Sequence, residues 1–139
     1  MSVDLVLNKA KFDREIDEAN VSAWEWSRMG YTKRGFLYIF EAGEKISKIG
    51  MTINDPRKRH KEIQSGFWYE VNIKYVCYTE YPIKYELIIH RLFKDYRMRG
   101  EWFSLSPNTI YDNTCKKIKW VPYDEGVNYS AYTARDLAA

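Results

Sequence analysis

Glu86 and His90 stand four residues apart inside PIKYELIIHRLF, a stretch in which positions 83, 87, 88, 89, 92 and 93 are apolar. Wound as a helix, this stretch leaves little of its circumference for water, and Glu86 and His90 share one line on it. A buried, unpaired carboxylate is costly, so it calls for a partner. Two readings are open: Glu86 and His90 satisfy each other at the helix edge, or Glu86 helps to hold a metal ion. The second needs further groups, and three lie upstream. Tyr38 sits in GFLYIF, where strand alternation sets it opposite Leu37 and Ile39 and beside Phe36 and Phe40. Lys48 stands in the middle of the apolar run KISKIGM. A lysine close to Tyr38 would favour the phenolate, and the tyrosine could then serve as a base despite a reference pKa near 10. The run RKRHKE adds Arg57, Lys58, Arg59, His60 and Lys61. It is either a solvated helix start or a phosphate site, since arginine binds phosphate through paired hydrogen bonds.

Several elements are needed to bring these residues together. GFLYIF, a turn holding Gly43, and KISKIGM read as a hairpin. INDPRKRHKEIQSG reads as a helix capped by Asn54 or Asp55, with Pro56 in its first turn and Gly66 at its end. Arg59 and Ile63 share a face of it, so Arg59 is expected to point inward and Arg57 to be exposed. EVNIKYVCYT reads as a third strand. Thr79 and Pro82 open the helix of Glu86, which is expected to run to near Gly100, and Ser106 and Pro107 start another. Near the N-terminus Phe12, Ile16, Ala19, Ala23 and Trp26 line one helix face, with Gly30 as a stop. The fold class is therefore α+β: a small three-stranded antiparallel sheet flanked by helices, with an N-terminal helical extension. The expected division is an extension at 1–34, a core at 35–119 and a C-terminal tail at 120–139 that ends in a frayed, Ala-rich stretch.

Composition sets outer bounds. A chain of 139 residues that is 45% apolar, with twelve Tyr, six Phe and five Trp, can build a core. No apolar run reaches the roughly 20 residues that cross a bilayer, and MSVDLVLNKA lacks the basic start of a signal peptide, so a soluble, cytoplasmic protein without membrane partners is expected. Cys77 and Cys115 lack metal or redox spacing and read as free thiols. The net charge of +3 lies wholly in residues 35–105, with 12 basic and 9 acidic side chains, a weak pointer to a polyanion.

Taken in order, Gly35-Phe36-Leu37-Tyr38-Ile39-Phe40, Lys48-Ile49-Gly50-Met51-Thr52, Asp55-Pro56-Arg57-Lys58-Arg59, Glu86-Leu87-Ile88-Ile89-His90 and Gly100-Glu101-Trp102-Phe103 resemble the motifs of the GIY-YIG nuclease superfamily. The likeness is to its phage-associated branch, in which KIG replaces YIG and a GEWF segment follows. The resemblance covers residues 35 to 105. It implies an endonuclease that hydrolyses phosphodiester bonds of nucleic acid, with DNA as the expected substrate. Tyr38 would be base or water positioner, Arg59 the phosphate ligand and Glu86 the residue on Mg²⁺ or Mn²⁺. Lys48 departs from the commoner second tyrosine and would act as an electrostatic neighbour of Tyr38, with His90 a further catalytic candidate. Arg57, Lys58, His60 and Lys61 are the candidates for flanking nucleic-acid contacts. The Asn that some members place after the metal glutamate has Glu101 or a residue of Pro107-Asn108-Thr109 as its possible counterpart. A phage-encoded chain would work in the host cytoplasm. The alternative is a catalytically inactive nucleic-acid-binding module of the same fold; a protein-interaction factor is a further rival. The N-terminal helix is available for a homodimer or a protein partner. The nuclease reading requires Glu86, Tyr38, Lys48 and Arg59 to surround one cleft.

Overall fold

The strand GFLYIF is apolar on both sides, which is what a central strand covered on two faces requires. In the computed structural model, which describes residues 3–21, 25, 28 and 33–137, it is β1 (Gly35–Glu41), buried over nearly its whole length. β1 pairs antiparallel with β2 (Ser47–Thr52) on one side and with β3 (Asn72–Thr79) on the other. Gly43 turns the β1–β2 hairpin at φ +99°, a conformation that suits glycine. Three short strands extend this centre: β4 (Arg97–Arg99), β5 (Trp102–Phe103) and β6 (Val121–Pro122). The sheet has six strands in the order β4-β5-β2-β1-β3-β6, every pair antiparallel.

The α+β class holds, but the expected three-stranded sheet is corrected to six. The added strands are two or three residues long, too short to show a period of two. The helix of Glu86 is also shorter than expected. It is α3 (Pro82–Leu92) and gives way at Phe93, a fully buried side chain, to a 3₁₀ turn at Lys94–Tyr96 and then to β4. Gly100, at φ +56°, turns the chain from β4 into β5.

The helical caps follow local chemistry. In α2 (Pro56–Ser65) the Asp55 carboxylate accepts from the Arg57 amide, Pro56 fills the first turn and Gly66 closes the end. In α4 (Pro107–Thr114) the Ser106 hydroxyl accepts from the Thr109 amide.

The faces of the sheet divide the core. On one face Leu37, Ile39 and Ile49 meet Ile88, Ile89 and Leu92 of α3, Ile110 of α4, and Phe12, Ile16 and Ala19 of α1 (Val3–Val21). Ala23, Trp26 and Gly30 lie outside the described residues. On the other face Phe36, Tyr38, Phe40 and Val76 meet Ile63 of α2 and Tyr129. The C-terminal segment from Trp120 is built onto the sheet, and Ala138 and Ala139 at its end lie outside the described residues. Trp120 and Tyr129 are buried, β6 joins the sheet, and short 3₁₀ turns follow at Tyr129–Ala131 and Ala134–Asp136. Among the described residues no helix is long and apolar enough to cross a membrane.

Candidate active site

Register places Tyr38 opposite Gly50 and Phe40 opposite Lys48, so Tyr38 and Lys48 share a face. The Tyr38 ring stacks on Phe40, with centroids 4.0 Å apart, and lies over Gly50. A β-carbon on Gly50 would come within 2.5 Å of the ring carbon Cζ, so the glycine is what lets the ring lie there.

Glu86 belongs to α3, which packs on the opposite face. The site is nevertheless continuous, because the edge of β2 is open beyond Lys48. β5 pairs only with Ser47 and Lys48. Past that point the Ile49 amide donates to the Glu101 carbonyl at 3.0 Å, and His90 Nε2–H donates to the Ile49 carbonyl at 2.8 Å. His90 thus fastens α3 to the strand edge. Glu86, one turn earlier, is brought into the electrostatic field of Glu101, Lys48 and Arg59. Its Oε1 is 3.9 Å from His90 Nε2, too long for a hydrogen bond, so the two do not satisfy each other.

The result is a crowded pair of acids. The Glu86 carboxyl is pushed up to about 8, first by burial, then by the negative field of Glu101 and a hydrogen-bonding contact with it, against the pull of Lys48 and Arg59. Burial likewise lowers His90, which favours the neutral ring that donates to Ile49. Lys48, only 8% exposed, sets its Nζ 3.0 Å from Glu101 Oε2 and 5.5 Å from the centre of the Trp102 ring. That ion pair is close in distance but lacks hydrogen-bond alignment, since Glu101 Oε2 has no geometric partner.

Arg59 reaches the same place from α2, its Nη1 also 3.2 Å from Glu62. It is the cation that acts on Tyr38. The phenol is raised to about 12, chiefly by burial, while Arg59 pulls it down. The Tyr38 hydroxyl is buried without a partner of good hydrogen-bond geometry; Arg59 is near it but not aligned with it. Arg59 is thus the cation set against Tyr38, while the ion pair of Lys48 is with Glu101.

The other basic residues separate. Lys58 and Lys61 are exposed. His60 is a packing residue here, its ring edge-on to Phe40 and its Nε2 2.5 Å from the Val71 carbonyl. Arg57 is not free in solvent as expected. Its Nε donates to the Tyr123 hydroxyl at 2.6 Å, and its Nη2 donates to the carbonyls of Glu125 at 2.9 Å and Val127. This commits its donors to the C-terminal segment. Glu101 is legible in the sequence from its place in the GEWF segment and as one possible counterpart of the family Asn, but not as the partner of Lys48. Asn108, its rival, accepts from Tyr75 instead.

Residues 35–119 match the T5orf172 domain. The chain belongs to this family. T5orf172 is a phage-associated domain found in nuclease-like proteins, which makes the T5orf172 core here a nuclease-like or nucleic-acid-binding module. No curated protein and no solved structure matches the chain. Every site residue named above, from Tyr38 to Glu101, falls inside the T5orf172 match.

Proposed function

We propose that this T5orf172 protein is a metal-dependent endonuclease of GIY-YIG type that hydrolyses phosphodiester bonds in DNA. The observation that supports it best is the convergence of Tyr38, Lys48, Arg59, Glu86 and Glu101, from four elements and a turn, at the open edge of β2. Such a cluster is poor for stability, with a carboxyl raised to about 8 and an unpartnered buried phenol.

The donors fit a hard divalent ion. Glu86 and Glu101 offer carboxylate oxygens, and a cation beside them would offset both the burial and the repulsion that raise Glu86. Among the described residues no three His, Cys, Asp or Glu side chains cluster as a metal cage. That suits Mg²⁺ or Mn²⁺, which keep several waters, better than zinc. Glu86 would hold the ion with Glu101 beside it, and the ion would supply charge stabilisation at the phosphate and leaving oxygen.

The protein residues then divide the work. Arg59 binds non-bridging phosphate oxygens through its planar fork. Tyr38, raised to about 12, stays a phenol at neutral pH and so acts as a hydrogen-bond donor that orients phosphate or water, not as a base. Lys48 holds Glu101 in place from below. His90 keeps α3, and hence Glu86, at the strand edge.

Supercoiled plasmid tests this. With Mg²⁺ or Mn²⁺ the parent should nick it, and EDTA should abolish nicking. Glu86→Ala and Arg59→Ala should each lower the single-turnover rate by about 10² or more, with Tyr38→Phe less affected. The complete burial of the Tyr38 hydroxyl favours one second reading, a binding module of the same fold without catalysis. In that case the parent retards plasmid in a salt-dependent way yet leaves it intact with either metal.

A further inference from the structure

We propose that the cleft between the start of α2 and the C-terminal segment is a nucleobase subsite, which takes one unstacked base of a single-stranded stretch beside the scissile phosphate. The proposal depends on the nucleic-acid reading above and says which part of the substrate the protein grips.

The cleft has a volume of about 430 Å³ and lies on the face of the sheet that carries Tyr38. Its floor is Phe36, two residues from Tyr38 along β1 and on the same face, so roughly 7 Å away. Its walls include Tyr78 and Tyr132, both partly exposed. Their ring centroids are 5.2 Å apart at 86°, and the Phe36 ring is 4.8 Å from one and 5.3 Å from the other. A flat base entering here can stack on one ring and meet the edge of another.

The rim is polar. Asn54 offers both a donor and an acceptor, as the edge of a base requires, exposed Lys58 can meet a flanking phosphate, and the one carboxylate of the rim, Asp55, is taken up by the Arg57 amide and the Ser130 hydroxyl. Rings below, an amide at the rim and a cation outside match the three parts of a nucleotide. The other large clefts do not. One is lined by Glu15, Glu18 and Glu25 against Lys84 and Arg91, an acidic excess with no aromatic ring to stack on. Another is lined by Cys77 and Ile118, from the core of the opposite face. Tyr132 lies outside the T5orf172 match, so this wall is an addition of the chain to its family domain. A base held in a duplex cannot enter, so the subsite selects single-stranded, frayed or branched DNA.

The test uses the full chain in EDTA, so that nothing is cut. Fluorescence anisotropy compares a labelled ten-nucleotide thymidine strand with an abasic strand of the same length. The parent should bind the base-bearing strand roughly 10-fold tighter. Tyr132→Ala should lose that preference and bind the abasic strand as the parent does, whereas Tyr132→Phe, which keeps the ring, should retain it. Equal binding of both strands by the parent overturns the proposal without recourse to any variant, and so does a Tyr132→Ala protein that keeps the full preference. Plasmid nicking is read separately. A parent that nicks but ignores bases sinks the subsite alone, and one that prefers bases but never nicks with metal sinks the endonuclease reading alone.

Discussion

Glu86 is held in the fold at a cost to stability. Its carboxyl rises from 4.5 to about 8 in the folded protein, so between those pH values the folded chain keeps a proton that the unfolded chain has released. Stability therefore falls as pH rises through that window, and the full penalty is present above it. Glu86→Gln, which cannot ionise, should remove the penalty. In EDTA at pH 8 it should be more stable than the parent, with the gap closing toward pH 4.5. Urea unfolding across that range checks it, and a pH-independent gap would mean that Glu86 behaves as a solvated carboxylate. Lys48 should show the complementary behaviour. Lys48→Met leaves Glu101 beside Glu86 without its ion pair and should cost about 2 to 4 kcal/mol. Adding Glu101→Gln should recover much of that. Strictly additive costs in the double mutant would show that Lys48 and Glu101 act independently.

At the scale of elements, the central demand is that a tyrosine ring lie flat against the next strand. Gly50→Ala puts a methyl where the Tyr38 ring now sits, so the ring must leave Phe40 or the strands must part. We expect a loss of about 1 to 3 kcal/mol, as for overpacking in a core, and a lower nicking rate even where the variant is folded. An alanine variant with the stability and rate of the parent would show that the ring is not held over Gly50. What was legible in the sequence follows the same division. The caps at Asp55-Pro56 and Ser106-Pro107 could be read because capping chemistry is local. The hairpin from Arg97 to Phe103 could not, because it joins the sheet only through β5 beside β2 and its strands carry too few residues to alternate. Tyr38, Arg59 and Glu86 were recognisable from ordered motifs. The part played by Glu101 was not, since it depends on β5 lying beside Lys48, and the capture of Arg57 by Tyr123 and Val127 depends on a segment without clear periodicity.

Seen as one molecule, the T5orf172 match at residues 35–119 leaves out side chains that close both faces of the core. Phe12 and Ile16 from α1 are 2% and 1% exposed and seal the face of α3 opposite the site, while Tyr129, 2% exposed, covers the face of Tyr38. Burying each such side chain contributes about 1.5 to 3 kcal/mol, so these three together supply roughly 5 to 9 kcal/mol. That is comparable with the whole stability of an ordinary domain, about 5 to 15 kcal/mol. A chain cut to residues 35–119 should therefore fail to unfold cooperatively, and its loss of nicking would reflect loss of structure. Chains 1–119 and 35–139 should each melt well below the parent, the first also losing the Arg57 clasp. Thermal unfolding followed by circular dichroism distinguishes these cases. A 35–119 chain that melts cooperatively within about 5 °C of the parent would show that the terminal segments only decorate a self-sufficient core. The expected failure instead places α1 and the C-terminal segment inside the cooperative unit that holds Glu86 and Tyr38 on opposite layers yet within one field.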